Sequence, residues 1–219
     1  MKLFIFGAGG FGKEVAELAK FVNNTNHRWN EIVFQDDVLD EGELLGFRTF
    51  HTGSVERIFA RNEIEYVIAL GEPISKEKVY LNLKNKGYSF ANIIAPDAQV
   101  SEFAMLGEGV IVKKGSIIQA EAVVGNNVTL QSYVAIGHGA KVGDHCQLST
   151  FSVIGGNTTV GAGTYISMNC SIRDKISIGE RVIVSAGSAV LRDVASDVTV
   201  AGNPARVVLK NTDDTKVFR

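Results

Sequence analysis

Four histidines, one glycine-rich hexad and one acidic pair are the places where this 219-residue chain could do chemistry. Histidine is the side chain that takes and returns a proton near neutral pH. His27 and His51 stand in the first half without evident partners, and surface or structural roles are expected for both. His138 and His145 stand in the second half. The hexad Gly7-Ala8-Gly9-Gly10-Phe11-Gly12 follows the apolar run Lys2–Phe6, a spacing that lets a phosphate approach the start of a helix. Alone, that match is weak, because a tight strand-to-helix turn without ligand reads the same. Asp36-Asp37 closes a second apolar run and could hold a nucleotide beside the glycine loop.

The elements that must position these residues differ between the two halves. From Ile94, a step of six residues meets Leu, Ile or Val seventeen times in succession, ending at Val190. Neither a helix nor an alternating strand has that period. Two residues before each aliphatic stands a small or β-branched one, from Ala98 through Cys146 and Cys170 to Ser188, as a narrow interior requires. Three hexads make a triangular coil of eighteen residues, and successive coils pair by parallel bonds about 4.8 Å apart. Gly107, Gly125, Gly143, Gly161 and Gly179 repeat at eighteen, and a corner with an unusual backbone conformation is expected at each. The cysteines fall at inward positions as small filler.

On this register His138 sits near a corner, between Ala120 and Gly156 of the adjacent coils. Both are small, which leaves room for a ligand around the ring. His145 lies between Asn127 and Gly163, where a structural role fits better. Two histidines and two inward cysteines do not make a shared three-histidine zinc site, so no metal is assigned.

The first half reads as strand 2–6, helix 13–21, strand 31–34, helix 54–61, strand 66–70 and helix 75–85. That is a small Rossmann-like α/β unit over 1–92, followed by a β-helix and tail over 93–219. It is too short for a full dinucleotide domain, which favours a nucleotide other than a nicotinamide cofactor.

With both halves in view, the chain resembles the sialic acid O-acetyltransferase and bacterial nucleotide-sugar N-acetyltransferase family, hexapeptide-repeat acyltransferases with a left-handed β-helix. The motifs that carry the resemblance are the glycine hexad, Phe34-Gln35-Asp36-Asp37, Leu70-Gly71-Glu72, Ile136-Gly137-His138, Val142-Gly143-Asp144 and Gly202-Asn203-Pro204-Ala205-Arg206. The resemblance implies an α/β N-terminal Rossmann-like domain plus an all-β left-handed parallel β-helix. It implies that a UDP- or dTDP-linked amino sugar is held by Gly9, Gly10, Phe11, Asp36, Asp37 and Gly71. His138 becomes the general base that takes a proton from the sugar amine as it attacks the acetyl thioester. Acetyl-CoA is expected along the β-helix between subunits of a homotrimer, past Gln147, Gly156, Met168 and Ala186. Two positions depart from the family pattern. Gly139 stands where many members carry an acidic residue, and Gln147 where some carry a second histidine. Glu121 or Asn157, one coil either side of Gly139, could orient the His138 ring; a residue of the next subunit is an equal rival.

A net charge of −2 without long runs of one sign argues against nucleic acid or an anionic membrane as the main partner. No apolar stretch is long enough to span a bilayer. Two cysteines suit a reducing compartment, and a cytoplasmic location is expected. Sugar O-acetylation on the same fold, and a non-enzymatic nucleotide-sensing scaffold, are the alternatives.

Overall fold

A computed structural model describes residues 1–212 and 215–218, with Glu56 in its backbone alone. The first half contains β1 (Lys2–Phe6), α1 (Gly10–Asn26), β2 (Glu31–Asp36), β3 (Gly42–Leu44), β4 (Phe47–His51), α2 (Thr52–Ile58), β5 (Ile64–Ile68), α3 (Pro73–Asn85) and β6 (Ser89–Phe90). These strands form one sheet in the order β3-β4-β2-β1-β5-β6, parallel except for β3 against β4. Strand order reverses direction at β1, so a crevice opens between the carboxyl ends of β1 and β5.

Several boundaries differ from the sequence expectation. Helix α1 starts at Gly10, straight out of the glycine loop, and runs past Phe21 to Asn26. Its last turn is polar, but His27 closes it in the left-handed conformation and Asn23 ties it to the Trp29 backbone in both directions. Helix α2 stops at Ile58, short of Arg61. β5 begins at Ile64, two residues early, because buried Glu65 accepts from Trp29 Nε1 at 2.9 Å and Arg28 at 2.7 Å. The β3–β4 hairpin was not legible; it turns at Leu45-Gly46, both at positive φ, as tight hairpins require.

One face of the sheet packs Phe4, Tyr66 and Ile68 against Val55, Tyr80 and Leu83. The other packs Leu3, Ile5, Phe34 and Val67 with Val15, Ala16 and Ala19 of α1, and continues into Ile93 and Ile111 of the first coils. The halves therefore share an apolar core. Each fully buried aliphatic in it contributes roughly 1.5–3 kcal/mol, enough to fix the glycine loop against the β-helix.

The second half is a triangular stack of two-residue strands. The first face stacks Ile93–Ile94, Ile111–Val112, Thr129–Leu130, Gln147–Leu148, Tyr165–Ile166 and Ile183–Val184. The second face runs from Gln99–Val100 through Ala135–Ile136 to Ala189–Val190, and the third from Met105–Leu106 to Ser177–Ile178. Every register step is eighteen residues, as in Thr129↔Gln147 and Gln147↔Tyr165. The repeat aliphatics from Val112 to Val190 are buried in one cluster, with both cysteines. Three inward hydroxyls are satisfied in a regular way, whereas the Ser152 Oγ is buried without a partner among the described residues. Ser116, Thr158 and Thr164 each donate to the carbonyl fifteen residues on, at 2.8–3.0 Å, which makes them tolerable inside. An antiparallel hairpin, Val198–Gly202 with Ala205–Lys210, closes the first face.

The eighteen-residue glycines have a different cause from the one expected. Gly107, Gly125, Gly143, Gly161 and Gly179 do not take positive φ. A Cβ on any of them would lie 2.3–2.6 Å from an atom of the next coil at four of the positions and 2.7 Å at Gly143, so they exist for close coil-to-coil approach. The left-handed residue comes two positions later and recurs at every sixth residue from Gly109 to Gly187, filled by Gly, Asn or a larger side chain.

Candidate active site

The glycine loop leaves β1 and Leu70-Gly71-Glu72 leaves β5, on the two sides of the crevice. Gly7 needs its positive φ, and a Cβ on Gly12 would lie 2.0 Å from the Gly7 carbonyl oxygen. These two glycines are explained within the chain. Gly9 and Gly10 are exposed, and a Cβ on either would meet nothing within 4 Å. Nothing in the fold demands glycine there, whereas a ligand approaching the backbone does. Gly9 caps α1 without a side-chain hydrogen bond, and the first turn of α1 carries no acidic residue. Its N–H groups and positive dipole end are thus open to an anion. Gly71, Glu72 and Ser75 at the start of α3 line the same cleft, but Pro73 has no N–H and the Ser75 and Lys76 N–H groups are spent on the Glu72 carbonyl, so α1 supplies the anion-binding end.

The cleft measures about 790 Å³, and the first face of the β-helix forms its other wall. Gly10, Phe11, Gly71, Gln147 and Met168 line it together. Gln147 is buried, and its Oε1 has no hydrogen-bond partner within the described chain. Lys113 also lines the cleft, held to Glu14 of α1 at 2.5 Å. Sequence reading passed over Lys113. It occupies the position just after a first-face aliphatic, in one column with Gln131 and Ser149, and that stacking was the available signal.

The acidic pair does not line this cleft. Asp36 spends both oxygens on the chain: Oδ2 accepts from the Ala8 N–H at 2.8 Å and Oδ1 from Val38 at 2.9 Å. It shapes the glycine loop from behind. Asp37 is exposed and borders a separate cavity with Gln35, Thr52 and Asn82.

His138 stands elsewhere, at the corner between the second and third faces. It is exposed, and its N–H donates to Gln119 Oε1 at 3.0 Å. Its ring lies over Gly156, where an added Cβ would come 2.7–3.1 Å from three ring atoms. Among the described residues none hydrogen-bonds the ring, Glu121 and Asn157 included; Asn157 Oδ1 packs over Gly139 instead. Met168 and Ala186 occupy the opposite edge of the second face, in one column where the Gly187 N–H donates to the Met168 carbonyl. Of the four positions assigned to the acetyl donor, Gln147 therefore lies on the first face, Met168 and Ala186 at the corner between the first and second faces, and Gly156 at the His138 corner.

Between α3 and the first face lies a buried polar knot. Lys76, fully buried, donates to Thr129 Oγ1 at 2.9 Å. Desolvation pulls its pKa down to about 7 and pushes the neighbouring Cys146 thiol up to about 12. His145 is held by Asn127 at 3.1 Å and packs on the Tyr80 ring, and its pKa is lowered by burial. These contacts give it a structural task. His51 likewise caps α2, accepting from the Gly53 N–H.

Residues 2–83 match the PglD N-terminal domain, and residues 121–156 match the bacterial transferase hexapeptide repeat. The acetyltransferase domain of PglB from Neisseria gonorrhoeae is 30% identical, with TM-score 0.88, over 94% of this chain and 99% of that one. The chain belongs to the hexapeptide-repeat sugar acetyltransferases. It is an acyltransferase, and its β-helix is left-handed like the family's. The same PglB domain has been solved with acetyl coenzyme A. PerB from Caulobacter crescentus, in complex with CoA and GDP-perosamine, is 25% identical with TM-score 0.86, over 95% of this chain and 97% of that one. Variants of this perosamine N-acetyltransferase with a histidine replaced by Asn or Ala also hold CoA and GDP-perosamine. Curated relatives match over less of their length. Serine acetyltransferase 2 of Arabidopsis thaliana is 35% identical over 107 residues, 48% of this chain and 30% of its own length. Among the described residues of this sugar acetyltransferase no helix is long and apolar enough to cross a membrane, and no group of three His, Cys, Asp or Glu could hold a metal.

Proposed function

We propose that the chain moves the acetyl group of acetyl-CoA onto the amine of a nucleotide-linked amino sugar in the cytoplasm. The carrying observation is the cleft where the N-terminus of α1, two glycines with open space and Lys113 converge, a surface suited to a diphosphate. This assigns residues 1–92 to the acceptor and the β-helix, residues 93–219, to the donor. Gly9, Gly10, Phe11 and Gly71 approach the acceptor; Asp36 acts through the loop it ties, and Asp37 from the neighbouring cavity. UDP, dTDP and, from the Caulobacter relative, GDP are the nucleotides to try.

His138 acts as general base. The amine nitrogen attacks the thioester carbon, His138 takes the amine proton, the C–S bond breaks, and the CoA thiolate leaves and recovers a proton. One chain does not bring His138 to its own cleft, so a neighbouring copy completes the site. Support comes from the second face, whose outer side exposes Ile117 and Val153, flanked by Tyr133 and Phe151 stacked at 5.1 Å. Threefold closure would cover that side, set the His138 corner against the next chain, and bring Gly156 toward the Met168–Ala186 column of that chain. A thioester-consumption assay over UDP-, dTDP- and GDP-linked amino sugars, with the matching hydroxyl sugars as controls, tests the reading. Turnover of an amino sugar is expected. Consumption with the hydroxyl sugars alone would replace it with O-acetylation, and consumption with none would reject it.

A further inference from the structure

After the closing hairpin the chain returns to the N-terminal half. Glu72 Oε2 accepts from two consecutive backbone N–H groups of this strap, Val217 at 2.9 Å and Phe218 at 3.2 Å. Glu72 stands at the N-cap of α3 but does not cap its own helix; its carboxylate is spent on the strap. The grip sets the Phe218 ring on Gly71, where an added Cβ would come within 3.1 Å of it. The ring also meets Tyr165 edge-on, with centroids 5.5 Å apart at 87°. Phe218 is nevertheless 52% exposed, belongs to none of the apolar clusters, and lines the cleft with Gly10, Phe11 and Met168. A phenyl ring latched in place but left half bare beside a cleft does little for the fold. It does supply an apolar wall.

We infer that Phe218 is an acceptor-binding residue: the strap folds it onto Gly71 so that the sugar of the nucleotide-linked substrate packs against its ring. The inference rests on the proposed function. The N-terminus of α1 takes the charged diphosphate, so the sugar attached to it lies alongside, toward Gly71 and Phe218. The C–H face of a pyranose is apolar, and an aromatic ring is its natural partner. Glu72 then serves as the latch, and Gly71 as the one residue type that lets the ring come this close.

The test is titration calorimetry on the full chain and on Phe218→Ala and Phe218→Tyr. The ligands are UDP-, dTDP- and GDP-linked amino sugars, the parent nucleoside diphosphates, and acetyl-CoA. Phe218→Ala is expected to weaken the bound amino sugar about tenfold, while the nucleoside diphosphate and acetyl-CoA stay within about twofold and Phe218→Tyr binds like the parent. Unchanged amino-sugar affinity in Phe218→Ala overturns the inference and leaves the proposed function standing. Tighter binding also overturns it, by showing that the strap obstructs the cleft. A parent chain that binds nucleoside diphosphates no more weakly than their amino sugars removes the sugar contact alone. A parent chain that binds neither rejects the proposed function, and this inference with it.

Discussion

The glycine-loop cleft and the His138 corner are built in opposite ways. The cleft is finished within one chain: its walls come from both halves, its loop is tied by Asp36, and a common apolar core locks the two walls together. The His138 corner is bare. Its ring is exposed, has no hydrogen-bond partner among the described residues, and rests on a glycine. A general base needs an oriented ring to work. On the proposed function, the difference separates binding from chemistry: the cleft takes the acceptor within one chain, and the His138 corner meets it from a second copy.

The strongest way to sharpen that contrast is His138→Ala. It should fold and bind both substrates, yet lose about 10²–10⁴-fold in turnover, the usual contribution of a positioned base. Single-turnover kinetics beside calorimetry separates the two effects; full turnover would remove His138 from the chemistry.

Gly156→Leu comes next. A side chain there collides with the imidazole before it meets any donor. A displaced ring should cost about 10²-fold in kcat, beyond any rise in the acetyl-CoA constant. A raised donor constant with unaltered kcat would show that Gly156 serves the pantetheine path alone.

Gly10→Val probes the other region. No atom lies within 4 Å of the added Cβ, so the fold should accept it while the nucleotide is pushed from the loop. Binding of the nucleotide sugar should weaken about tenfold or more, roughly 1.4 kcal/mol, with acetyl-CoA unaffected. Equal weakening of both ligands would contradict the division between loop and β-helix.

The last effect bears on stability alone and concerns the joint between the halves. Lys76 titrates at about 7 in the fold, against roughly 10.4 in an unfolded chain. Between those values the unfolded state binds more protons, so Lys76 makes stability rise with pH, by at most about 1.4 kcal/mol per unit. Cys146, pushed up to about 12 in the fold, ionises in the unfolded chain above roughly 8.5 and there opposes the Lys76 slope, so the Lys76 rise is clearest between pH 7 and about 8.5. Denaturant melts from pH 7 to about 8.5 should show the slope in the parent chain and lose it in Lys76→Met. Parallel slopes would mean that the ammonium is not desolvated as the packing implies.

The β-helix was legible because its rule is one-dimensional. A period of six in aliphatics and of eighteen in glycines specifies coil, register and inward residues without knowledge of the rest of the molecule. The sheet was less legible. Phe47–His51 joins it only because β2 offers an open edge, and Glu65 is tolerated in β5 only because Trp29 and Arg28 reach it from far along the chain. The site divides the same way. Gly10, Phe11, Gly71, Gln147 and Met168 were named from motif order and do line one cleft. Lys113 and Phe218 were not named, since a lysine after an aliphatic and a phenylalanine in a polar tail have no local pattern. Only the return of the chain to Glu72 brings Phe218 there. Asp36 is the reverse case: its side chain is turned inward to the Ala8 N–H, a contact that sequence spacing does not reveal.

Complementation between two disabled chains tests the shared site most directly. Co-expressed His138→Ala and Gly10→Val chains, carrying different affinity tags, can be purified as mixed oligomers. In a threefold assembly with sites between copies, some interfaces pair an intact cleft from one chain with an intact His138 from the other. Each mixed trimer then holds one intact interface in three, so at acceptor concentrations well below saturation the purified mixed trimers recover about a third of parental turnover, above either variant alone. Mixed oligomers no more active than the sum of the two variants would show that each chain uses its own histidine, and would contradict the separation of binding from chemistry.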